Sequence, residues 1–120
     1  MGEAKQSYKD LITWQKAMAF VVQVYRVTDQ FPAKELYSLT SQIRRSAISI
    51  PSNIAEGKGR LTAGEFKQFL GHARGSTLEL ETQLMIANEL GYIDEATIGR
   101  LLAGTSEIGK LINGLLSSLL

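Results

Sequence analysis

Four segments of the chain place apolar residues three and four positions apart, and none sustains the alternation of a strand. The first spans about residues 10–30. There Leu11, Trp14, Met18, Val21, Val22 and Tyr25 stack on one side of a helix. Phe31-Pro32 ends it, because the residue before proline is pushed out of the α region. In the second, about 33–59, Leu39, Ile43, Ala47, Ile50 and Ile54 step by 4, 4, 3 and 4. That stripe keeps its phase across Pro51, which predicts one helix kinked at the proline in preference to two shorter ones. Thr62 and Glu65 have capping-box spacing and open a third helix. Its stripe is Phe66, Phe69, Leu70, Ala73, Leu80, Leu84 and Ala87, with Gly91 placed as a left-handed terminator. Asp94 is a good cap for the fourth, which carries Ile98, Leu101, Leu102, Ile108, Ile112, Leu115 and Leu119.

Helices of about 20 to 28 residues would each be roughly 30 to 40 Å long. Short links force neighbours to reverse direction, so the pattern predicts an all-α, antiparallel up-down-up-down four-helix bundle. Residues 1–120 are expected to form this single domain, with 1–9 as a flexible arm. Helix one has a second stripe, Phe20, Val24, Val27 and Phe31, nearly opposite the first. A solitary bundle would leave one side of that helix greasy, and contiguous apolar surface usually marks an interaction site. These four residues are the expected oligomer interface. Gly71 and Gly75, one turn apart, would let another helix approach closely. Gly99, Gly104, Gly109 and Gly114 recur every five residues and mark no single face.

Net charge, +1, argues for no partner, but its distribution does. From Arg44 to Arg74 lie six basic residues, Arg44, Arg45, Lys58, Arg60, Lys67 and Arg74, against Glu56 and Glu65. From Gly75 onward, six acids face Arg100 and Lys110. One half of the chain is therefore locally cationic. The absence of cysteine removes disulfides and thiolate metal sites, and suits a reducing cytoplasm, the expected location. No run of about 18 apolar residues predicts a membrane span.

The residue types needed for catalysis do not converge. Di-iron bundles need Glu-x-x-His pairs, and His72, the lone histidine, has Phe69 three positions before it. Gly57 to Arg60, GKGR, lacks the upstream glycine and following Ser/Thr of a phosphate loop. Glu79 and Glu81 splay to either side of Leu80. The expectation is no enzyme, no metal and no cofactor.

The run FPAKELYSLTSQIRRSAISIPSNIAEGKGR, followed by EFKQFLGHARGSTLELETQLMIANELGYI, resembles the four-helix bundle proteins encoded in intervening sequences of bacterial 23S ribosomal RNA genes. The most specific elements are SIPSNIAEG, from Ser49 to Gly57, and the GSxxELExQL pattern, from Gly75 to Leu84. Similar proteins include the accessory subunit of diversity-generating retroelements, which pairs with a reverse transcriptase. The resemblance implies a homopentameric ring of bundles with basic residues available to nucleic acid. Lys58 and Leu61 depart from the pattern, which affects the surface of that loop.

Two partner classes follow. In the first, the chain binds nucleic acid, RNA favoured, through Arg44, Arg45, Lys58, Arg60, Lys67 and Arg74. No aromatic alternates with these residues, so contact would be to phosphate rather than by base stacking. In the second, an oligomeric scaffold holds a protein partner such as a polymerase.

Overall fold

The computed structural model describes residues 7–119. Its four helices are α1 (Ile12–Thr28), α2 (Leu39–Lys58), α3 (Ala63–Glu89) and α4 (Glu95–Ser118), and the described residues contain no strand. They form a four-helix bundle of 54 × 22 × 20 Å. Later positions in α2 meet earlier positions in α3: Ser46 bonds Glu79, Ser49 bonds Ser76, and Gly57 lies against Phe66 and Phe69.

Local signals set the helix ends. The Thr62 hydroxyl accepts from the Glu65 N–H at 3.1 Å, and Asp94 accepts from the Thr97 N–H at 2.8 Å. Gly91 takes φ +82°, the left-handed terminator that a side chain would strain. Helix α2 begins at Leu39, later than its pattern suggested, because Ala33–Glu35 first form a 3-10 turn. It then runs continuously through Pro51, which is itself buried. Asn53 Nδ2 donates to the Ser49 carbonyl at 2.8 Å, adding a side-chain bond beside the proline.

Ile43, Ala47, Ile50 and Ile54 from α2 meet Leu70, Ala73, Leu80, Leu84 and Ala87 from α3 in one core with Leu101, Ile108 and Ile112 of α4. Thr77 and Thr105 complete these stripes with their hydroxyls bonded, whereas Thr40 Oγ1 of α2 is buried without a partner. Thr77 Oγ1 donates to the Ala73 carbonyl and Thr105 Oγ1 to Glu81 Oε2 at 2.7 Å.

Helix α1 reverses the sequence expectation. Phe20, Val24 and Phe31, expected at an oligomer interface, belong to the protomer's own core, and Val27 packs half-buried against it. Val24 is fully buried, whereas Met18 and Val22, from the expected core stripe, are 42% and 47% exposed. The buried face is Thr13, Ala17, Phe20, Val24 and Thr28. On this face the Thr28 hydroxyl donates to the Val24 carbonyl at 2.9 Å. Phe20 is accommodated by Gly104: a Cβ there would stand 2.5 Å from the phenyl ring. That contact explains one of the four regularly spaced glycines of α4. Gly99, Gly109 and Gly114 face open space, as do Gly71 and Gly75, and no physical account of them emerges within the chain.

Of the expected flexible arm, residues 1–6 lie outside the described residues. Tyr8–Asp10 form a capped 3-10 turn, with the Tyr8 ring edge-on to Trp14 at 5.2 Å.

Candidate nucleic-acid interface

The six basic residues of the expected site have different fates. Arg44 is spent inside the fold. Its Nε donates to Thr28 Oγ1 at 2.9 Å and its Nη2 to Asp29 Oδ1 at 3.0 Å. The guanidinium also lies 4.4 Å from the Tyr25 ring centroid, and only 19% of the side chain is exposed. Arg44 therefore ties α2 to the end of α1, which removes it from the expected interface.

Arg60 and Lys58 are partly committed where α2 turns into α3. Arg60 Nη2 reaches Glu56 Oε2 at 2.6 Å, and its guanidinium sits 4.6 Å from the Phe69 ring. Lys58 is half-buried with Nζ 5.8 Å from the Phe66 ring. Both rings are brought there by Gly57, where an added Cβ would meet Phe69 Cβ at 2.6 Å. This close approach gives the glycine of SIPSNIAEG a packing reason.

Arg45, Lys67 and Arg74 make no ion pair among the described residues. Arg45 and Arg74 are exposed and Lys67 is half-buried. Arg45 lines a polar groove between α2 and α3 with Gln42, Ser46, Ser49, Glu79 and Gln83. Arg74 lines a second groove, between α3 and α4, and Lys110 stands across it. A third cleft brings Arg26 and Arg100 together beside Gln23, Gln30 and Thr97. Sequence reasoning missed Arg26, Arg100 and Lys110. The acidic excess after Gly75 hid the last two, and only the fold shows Arg74 sharing a groove with Lys110.

The outward apolar surface is also relocated. Trp14, Met18 and Val21 of α1 line an open groove with Ile48, Pro51 and Ala55 of α2, and Val22 and Tyr25 are exposed further along α1. His72 is exposed and meets only the edge of Phe69, with ring centroids 5.9 Å apart. Among the described residues, no three His, Cys, Asp or Glu side chains are grouped to hold a metal ion. None of the described helices is long and apolar enough to cross a membrane.

Three carboxyl or phenol groups are perturbed, all near the α1–α2 and α3–α4 links. Glu35 is held below the usual carboxylate range by the Ser38 hydroxyl and then by the Tyr92 hydroxyl, which donates at 2.8 Å. Tyr92 is raised in turn by that bond. Asp94 is lowered by its cap bonds to Thr97. These are structural bonds, and Tyr92 and Asp94 line the same cleft as Arg26 and Arg100.

Residues 9–114 match the family model of the 23S rRNA-intervening sequence protein. The chain belongs to this family. A solved structure from Bacteroides thetaiotaomicron, described as a protein of unknown function from the S23 ribosomal protein family, has the same fold. It superimposes with a TM-score of 0.82 at 24% identity, covering 91% of this chain and 98% of that one. No curated protein matches the sequence.

Proposed function

We propose that this protein is a non-enzymatic, homo-oligomeric nucleic-acid-binding protein that contacts phosphates, with RNA favoured. The observation that carries the reading is that Arg45 at the α2–α3 groove, Arg74 at the α3–α4 groove and Lys67 of α3 make no ion pair among the described residues. Cations left without a protein anion are available to a polyanion, and each phosphate contact releases a condensed counterion. Assembly would repeat the flank and turn weak single contacts into a multivalent surface. The exposed Met18, Val22, Tyr25 and Ile48, beside the half-buried Trp14 and Val21, support self-association. A pentamer is the assembly that the family resemblance implies, and the absence of cysteine suits a reducing cytoplasm as its setting.

Mobility shifts with a structured RNA test the binding. Wild type should bind at low salt, and Arg45→Glu with Arg74→Glu should abolish the shift. Unaltered binding by the double variant contradicts the reading. Light scattering tests assembly: Met18→Glu with Val22→Glu should yield single subunits that remain helical.

The exposed apolar groove favours a second reading, a scaffold whose partner is a protein such as a polymerase. Retention of a protein partner after nuclease treatment, without any RNA binding by the purified chain, would select it.

A further inference from the structure

The α2–α3 groove around Arg45 holds more than a cation. Its lining is Gln42, Arg45, Ser46, Ser49, Glu79 and Gln83, with no apolar side chain, and its volume is about 410 Å³. That lies within the roughly 300–1,000 Å³ of small-ligand sites. Glu79 accepts the Ser46 hydroxyl on Oε1 at 2.8 Å, and its other oxygen has no partner among the described residues. Gln83 Oε1 is buried and likewise unpartnered. Arg45 lines the same groove as Glu79, yet the two form no ion pair.

An unsatisfied buried acceptor costs about 1–3 kcal/mol, so such an atom calls for an explanation. The groove offers a carboxylate oxygen and a guanidinium with unused hydrogen-bonding capacity, and rotation of the Gln83 amide would bring its unpartnered oxygen to the lining. A complementary group must therefore present neighbouring N–H donors together with an acceptor. Guanine does so along its pairing edge: N1–H and the N2 amino group donate, and O6 accepts. Adenine and uracil offer fewer donors on that edge. Cytosine presents its donor beside ring and carbonyl acceptors that would face the oxygens of Glu79 and Gln83.

We infer that the α2–α3 groove receives the pairing edge of an unpaired guanine, with Glu79 and Gln83 accepting its N–H groups and Arg45 donating to O6. This deepens the nucleic-acid reading and rests on it. RNA recognition commonly takes splayed single-stranded bases by their pairing edges, while phosphates fix the strand. The unpaired cations outside the groove would contact the backbone while the groove supplies base preference.

The test compares three short single-stranded RNAs that are identical except for one position, guanine, inosine or adenine, by fluorescence anisotropy. Inosine lacks only the N2 amino group, so no protein change is needed to remove one donor. Guanine should bind tighter than inosine by about fivefold or more, within the range of a lost base-edge pair. Glu79→Gln should erase most of that preference while circular dichroism stays unchanged. Equal affinity for all three strands, with binding still falling as salt rises, overturns the guanine site and leaves phosphate binding standing. No binding of any strand overturns both. Guanosine monophosphate alone distinguishes the sources of the base. Tighter binding of the strand supports recognition on RNA, and tighter binding of the free nucleotide overturns it.

Discussion

Arg44 and Arg45 are neighbours on α2, but they face two regions built on opposite principles. Toward α1, Arg44 is clamped between Thr28, Asp29 and the Tyr25 ring, with its Nε and Nη2 both donating to protein oxygens. Toward the outer groove with α3, Arg45 stands unpaired beside a carboxylate with one unbonded oxygen and a buried amide oxygen without a partner. A cation's worth to the fold is set by its partners, not by its sign. The first region uses charge to fix helix placement, and the second leaves it without a protein partner among the described residues.

The contrast is sharpest where packing is tightest. Ile54→Ala, on the core side of α2, should destabilise by about 2–5 kcal/mol in chemical denaturation, because the site is fully enclosed. A loss below about 1 kcal/mol would mean that the bundle repacks freely. Gly57→Val should cost about 1–3 kcal/mol by forcing α3 away at Phe69.

At the arginines themselves, Arg44→Ala should cost about 1.5–3 kcal/mol, the range for hydrogen bonds to a charged group. Arg45→Ala should stay within about 0.5 kcal/mol of wild type, as exposed substitutions do. Equal losses for the two would erase the proposed division. The smallest effect is electrostatic. Glu35 and Asp94 titrate below their ordinary values, so each adds stability above the unfolded carboxylate pKa of about 4. That stability is lost as pH falls through the folded value. Ser38→Ala should move Glu35 upward toward its ordinary range, and Tyr92→Phe should move it less, since Ser38 is the larger cause. Carbonyl-detected NMR titration would measure both, and no movement in either variant would contradict the hydrogen-bond explanation.

Much of the fold was legible because its signals are local. The Thr62 and Asp94 caps, the Gly91 turn and the stripes of α2, α3 and α4 all follow from short-range spacing. Helix α1 was not legible in the same way. Two apolar stripes competed, and size favoured Trp14, Met18 and Tyr25 over a face containing Thr13, Ala17 and Thr28. The smaller face is the buried one, and the hydroxyl of Thr28 is satisfied within its own helix. The need for Phe20 to occupy the space left by Gly104 is a tertiary fact that no periodicity reveals.

The candidate site divided along similar lines. Sequence placed positive charge on the α2–α3 segment, but it could not say which cations the fold consumes. Arg44 finds Asp29 fifteen positions earlier, and Arg74 finds Lys110 across a groove from another helix. Pairing and grouping at such separations depend on the bundle, so the surviving set of Arg45, Lys67 and Arg74 emerges only from the folded chain.

The most direct test of these unspent charges is the salt dependence of RNA affinity, measured for wild type and for Arg45→Ala, Lys67→Ala, Arg74→Ala combined. Plotted as log affinity against log salt, the triple variant should lose about two to three units of slope, near one for each phosphate contact removed. A slope unchanged by the three substitutions would contradict the account, because the cations would then contribute no phosphate contacts.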